Sequence, residues 1–150
     1  MEEVCRKIIL SIVDYTVEPG VEKIQNLIRP VFVGNFPIGF FDGVATVEHN
    51  GIRLMVKLSS SHCYKAHMAI GRGSNIRAKL LALWGLLFLS QRLNIHDLYV
   101  AGDSKVIVDW FNGEVALNVL ILQAWKDRIQ ELRSLFTSLQ VFHIHRTFNS

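Results

Sequence analysis

Apolar and polar positions follow two different periods along the chain from residue 38 onward. Ile38–Val47 (IGFFDGVATV) is apolar almost throughout, the pattern of a central strand covered on both faces. It runs into Glu48-His49-Asn50-Gly51, and the Asn-Gly pair, which tolerates positive φ, predicts a hairpin turn there. Ile52–Leu58 and Cys63–Ile70 read as two further strands parted by Ser59-Ser60-Ser61, so the three should form an antiparallel meander. The loop Gly71-Arg72-Gly73-Ser74 follows, with Ser74 the expected N-cap of a helix from Asn75 to about Arg92. Every residue from Leu80 to Leu89 except Gly85 is apolar, which marks this helix as buried. Leu98–Ala101 predicts a short strand, and a helix from Ser104 to about Phe111 should stop at Asn112-Gly113. Leu122, Trp125, Ile129, Leu132 and Phe136 recur at spacings of three and four with charges between them, the pattern of an amphipathic surface helix. Val141–His145 is the last expected strand. The order βββ-α-β-α-α-β is that of an α/β domain in which parallel strands extend an antiparallel meander.

Residues 1–37 differ from this. They hold all three prolines (Pro19, Pro30 and Pro37) and the acids Glu2, Glu3, Asp14, Glu18 and Glu22, with a short helix expected over Val21–Ile28 and ended by Pro30. The expected division is an arm or linker over 1–37 and a domain over 38–150. With 150 residues, half of them apolar and 19% charged, the chain can build a sizeable core and is not a disordered tail. Its 16 basic and 13 acidic residues leave a charge of +3, compatible with a nucleic-acid partner without establishing one. Two cysteines exclude a disulfide scaffold and a Cys₄ zinc site. The longest strongly apolar run falls well short of the ~20 residues of a membrane helix, and the N-terminus carries no secretory pattern. The expectation is a monomer inside the cell, nuclear or cytoplasmic, neither secreted nor membrane-bound.

Two acids stand out by context. Asp42 lies within the apolar run Phe40-Phe41-Asp42-Gly43-Val44, where a buried carboxylate needs donors or a cation. Asp103 lies at a strand-to-helix turn. On parallel neighbouring strands the two would face one another, and an oxygen-only pair suits Mg²⁺ or Mn²⁺. Taken singly, Asp103 also reads as a helix N-cap and Asp42 as a structural, hydrogen-bonded acid. Gly71-x-Gly73 is not a dinucleotide motif, because Ile76 holds the third glycine position. His143 and His145 share a strand face but lack a third ligand at recognisable spacing. Lys65, Arg72, Arg77 and Lys105 read either as a phosphate-contacting rim or as scattered surface charge.

Four blocks in order carry a family resemblance: Phe40-Phe41-Asp42-Gly43, the segment from Gly71-Arg72-Gly73-Ser74-Asn75 through Ala78-Lys79-Leu80 to Trp84, the segment from Gly102-Asp103-Ser104-Lys105 to Asn112-Gly113, and His143-Ile144-His145-Arg146. Together, over roughly Gly39 to Asn149, they resemble the ribonuclease H family, in its plant reverse-transcriptase-like branch associated with retroelements. The resemblance implies a five-stranded mixed sheet, three strands antiparallel and the rest parallel, with helices on both faces. It also implies an RNase H type-1 endonuclease that hydrolyses the RNA strand of RNA–DNA hybrids, with carboxylates holding two divalent ions. By position Asp42 is the first carboxylate and Asp103 the third, so both would be catalytic metal ligands. Lys79 stands where the family has its second, a glutamate. The fourth would lie a few residues past Asn149, so the 38–150 domain is expected to be truncated at its C-terminus. An ammonium about 4 Å from a divalent ion is repelled by roughly 8 kcal/mol at an effective dielectric of about 20. Alternatively, Lys79 pairs with Asp42 or Asp103 and plugs the site. The resemblance places Arg72, Asn75 and Arg77 as substrate contacts, with RNA–DNA hybrid or duplex RNA as partner. Two readings stay open: a hybrid ribonuclease, impaired, that uses Mg²⁺ or Mn²⁺ if active, and a retroelement-derived non-catalytic nucleic-acid-binding or protein-interaction module with no cofactor.

Overall fold

The computed structural model describes residues 37–144 and the backbone of Val13–Tyr15. The elements are β1 (Val13–Tyr15), β2 (Ile38–Ala45), β3 (Asn50–Ser59), β4 (His62–Ala69), α1 (Asn75–Arg92), β5 (Asp97–Gly102), α2 (Lys105–Phe111), α3 (Gln123–Arg133) and β6 (Ser138–His143), with a single 3₁₀ turn at Leu120–Leu122 ahead of α3. They form one mixed sheet in the order β1-β4-β3-β2-β5-β6. Strands β2, β3 and β4 make the antiparallel meander, and β5 and β6 extend it in parallel from β2.

The expected five strands are all present, and a sixth, β1, pairs antiparallel with β4 from within the segment read as an arm. The helix expected over Val21–Ile28 and the end of the strand expected at His145 lie outside the described residues. Leu122 falls in the 3₁₀ turn and Phe136 beyond the end of α3, so the amphipathic stripe outlasts the helix at both ends.

The predicted hairpin turn is displaced. Ala45 pairs with Asn50 and Val44 with Gly51, so the connection is Thr46–His49, closed by the Thr46 N–H donating to the His49 carbonyl at 2.8 Å. Asn50 is recruited into the strand by its side chain. It is fully buried, and its amide bridges to the loop after β4, donating to the Gly73 carbonyl at 2.8 Å.

Alternation along the strands divides the buried residues between two faces. Phe41, Ile52, Leu54, Val56, Ala66, Leu98, Val100 and Val141 point to one face and form a single core with the apolar body of α1, with Ile107, Val108 and Phe111 of α2, and with Ile129 of α3. The three described helices therefore share this face. Trp84 of α1 meets Trp125 of α3 edge-on at 5.3 Å and stacks on Phe88 at 5.3 Å. Ile38, Phe40, Met55, Cys63, Ala101 and Ile144 form a second buried cluster on the opposite face. Two glycines in β2 let α1 lie close: a Cβ at Gly39 would sit 3.0 Å from Leu86, and one at Gly43 would sit 2.3 Å from the Ala78 carbonyl oxygen. No described helix is long and apolar enough to cross a membrane.

Candidate functional site

Parallel pairing of β2 and β5 sets Phe41 opposite Gly102, so the next residue of each segment, Asp42 within β2 and Asp103 just past the end of β5, follows the last paired residues of two adjacent strands. This is the juxtaposition expected from the sequence. Asp42 shares the strand parity of Ile38 and Phe40 and so belongs to the face opposite the helices. Its side chain is 7% exposed, and its Oδ2 accepts from the Arg53 guanidinium at 2.6 Å. Arg53 is the cross-strand partner of Asp42 in β3, and its own side chain is 72% exposed. His67 in β4 pairs with Arg53 in turn, giving a row Asp42, Arg53, His67 across three strands. An open cavity of about 390 Å³ lies over this row, lined also by Val44, His49 and Met68.

Helix α1 reaches the site because Gly43 has no side chain. The close approach at Ala78 brings the Lys79 ammonium to 3.4 Å from the Gly43 carbonyl, to which it donates. Lys79 thus stands beside Asp42, where the resemblance puts a carboxylate. The pairing of Lys79 with Asp42 or Asp103 raised from the sequence meets a different geometry: Lys79 turns to the backbone and Asp42 to Arg53. At Asp103 the carbonyl accepts from the His143 ring at 3.2 Å, which joins β6 to the same turn.

The three residues expected to touch substrate lie together, with different commitments. Arg72 is exposed, its Nε donating to the Glu48 carbonyl at 3.3 Å. Asn75 opens α1, and its Oδ1 accepts from the Ala45 N–H at 2.8 Å, fastening the helix to the end of β2. Arg77 donates to the Asn50 Oδ1 at 2.6 Å and to the Ile70 carbonyl at 3.0 Å. Burial lowers the Arg77 pKa from its ordinary value, since desolvation disfavours the charged form. Ser74 caps α1 as expected, its Oγ accepting from the Arg77 N–H at 3.1 Å. Lys105, read as part of a basic rim, donates to Asp109 at 2.5 Å, a hydrogen bond that raises its pKa and that the carboxylate charge reinforces.

Arg53 is the residue that sequence reasoning missed. Its signal is a cation within the otherwise apolar start of β3 (Gly51-Ile52-Arg53-Leu54), visible as the partner of Asp42 once the turn is placed at Thr46–His49.

The residues present do not fit a pair of divalent ions. Two carboxylates meet two cations here, with Arg53 on one Asp42 oxygen and Lys79 beside the Gly43 carbonyl. Among the described residues, no three His, Cys, Asp or Glu side chains gather as a metal-holding group.

The fold with its paired acids at the β2–β5 end is RNase H-like, and solved structures share it. RNase H1 of the archaeon Halobacterium salinarum superposes with a TM-score of 0.70 at 22% identity, over 75% of this chain and 88% of that one. The N-terminal RNase H domain of a Mycobacterium tuberculosis protein gives 0.68 at 22%, over 76% and 86%. LC11-RNase H1, solved in complex with an RNA/DNA hybrid, gives 0.69 at 21%, over 77% and 89%. The reverse transcriptase-like family profile matches residues 42–150, and the chain belongs to that family. Among curated proteins no sequence matches.

Proposed function

We propose that this chain is a nucleic-acid-binding RNase H-like domain that holds RNA–DNA hybrid or duplex RNA and cleaves it weakly or not at all. The observation that supports this reading is the site beside Gly43: Asp42 and Asp103 each follow the last paired residues of β2 and β5, and Lys79 leans in at the position of an expected glutamate. Similarity to an RNase H1 solved on a hybrid supports the substrate class. Arg72, Asn75 and Arg77 cluster at the start of α1, where Arg72 is an exposed cation open to a phosphate and Arg77 is partly buried.

The test is fluorescence anisotropy of a labelled RNA–DNA hybrid in EDTA, over a series of salt concentrations, with a parallel cleavage assay in Mg²⁺ or Mn²⁺. Binding that weakens as salt rises, with a slope of about −0.9 per phosphate neutralised for a B-form duplex, and little or no cleavage are the expected results. Efficient cleavage abolished by Asp103→Asn would establish an active ribonuclease instead. Absence of binding at low salt would overturn the reading and leave a protein-interaction module.

A further inference from the structure

We infer that Arg53 is the resident cation of this site, a guanidinium fixed where a divalent ion would otherwise engage Asp42. The pairing is built into the sheet: Asp42 and Arg53 are direct cross-strand partners in β2 and β3, and the N–O distance is 2.6 Å. Directly opposed charges on one sheet face form a stabilising pair without displacing the backbone. The carboxylate is 7% exposed while the guanidinium is 72% exposed, so the acid lies beneath its partner and the cation faces the solvent. A metal approaching Oδ2 of Asp42 must displace a charge-assisted hydrogen bond of the short, strong kind. It must also come close to a fixed positive charge, with the Lys79 ammonium on the neighbouring peptide.

The counter-ion is therefore supplied by the chain. The cavity of about 390 Å³ over Arg53, bordered by His49 and His67, offers an anion the unshared N–H groups of a planar donor suited to phosphate. This makes engagement of a nucleic-acid backbone independent of metal. The phosphate contact rests on the nucleic-acid reading proposed above, whereas the exclusion of metal stands or falls without it.

Two substitutions separate Arg53 from Lys79 as the excluding charge. Amide spectra of the full chain titrated with Mn²⁺ report the ion through paramagnetic broadening at Asp42 and Asp103. Wild type and Lys79→Glu should both stay sharp, because Arg53 still covers Asp42. Lys79→Glu combined with Arg53→Gln should lose those signals; if that protein does not fold, Arg53→Thr, which removes the charge but suits a strand, replaces it. Broadening in wild type or in Lys79→Glu alone overturns the inference, as does a folded double variant that stays sharp. In EDTA, Arg53→Gln alone should weaken hybrid binding. Unchanged hybrid binding with the Mn²⁺ pattern intact removes only the phosphate contact, and loss of all binding by wild type indicts the nucleic-acid reading alone.

Discussion

At the scale of single residues, Gly43 decides how near α1 can come to Asp42. A methyl group there would sit 2.3 Å from the Ala78 carbonyl oxygen and 2.8 Å from the Lys79 nitrogen, and both of these are helix backbone that cannot rotate away. Gly43→Ala should therefore cost about 2–3 kcal/mol, the range of overpacked cores, measured by urea unfolding, and an unchanged midpoint would show that α1 is not seated as described. The Arg53 contact is worth less to stability than its geometry suggests, because its guanidinium is 72% exposed and solvent screens it. Arg53→Ala should lower stability by about 1–3 kcal/mol, because it takes this donor from the buried Asp42 carboxylate, seen in the same unfolding experiment. A loss several times larger would mean that Arg53 holds the sheet together and is not chiefly a surface cation. The two substitutions probe opposite faces of the sheet, Gly43 in β2 toward α1 and Arg53 in β3 on the face of its partner Asp42.

At the scale of elements, the loop Gly71–Ser74 is held by a knot between three segments. Asn50 donates to the Gly73 carbonyl and accepts from Arg77, Arg77 reaches the Ile70 carbonyl, and the Asn50 N–H donates to the Gly71 carbonyl at 2.5 Å. Gly71 takes a φ of +74°, which glycine tolerates, so the chain can turn from β4 toward α1. Asn50→Ala removes two side-chain bonds, one charge-assisted, from a fully buried position, and should destabilise by about 2–4 kcal/mol. Hydrogen exchange should quicken first at Gly71–Ser74, and protection left intact there would place the loop's support elsewhere. This knot also explains what the sequence concealed. Asn50-Gly51 has the composition of a two-residue turn, and a turn there would set Asp42 across from Ser59; tertiary bonding to Gly73 and Arg77 draws Asn50 into β3 and sets Arg53 there instead. The buried helix and the Asp42–Asp103 juxtaposition were legible, because an all-round apolar run and a parallel crossover can be read without strand register. Strand β1 was not, since three residues of edge pairing are too short to show alternation.

At the scale of the whole molecule, linkage turns the character of the site into a stability measurement that needs no catalysis. A ligand that binds only the folded chain raises its stability by RT ln(1 + [L]/Kd), about 2.7 kcal/mol at a hundredfold excess over Kd. For a domain of this size such a gain would lift the melting temperature by several degrees. A site that gathers carboxylates for paired divalents must show that rise with Mg²⁺, and a site whose acid is already matched by Arg53 and neighboured by Lys79 must not. The melting temperature of the full chain is therefore expected to be the same in EDTA and in Mg²⁺, and to rise when RNA–DNA hybrid is added in EDTA. Raising the salt should erase the increment from the hybrid, because the chain's modest charge of +3 gives its phosphate contacts no long-range reserve. A rise with Mg²⁺ alone would mean that the ion outcompetes the neighbouring cations for the acidic oxygens, and the site would then have to be read as a metal-binding centre.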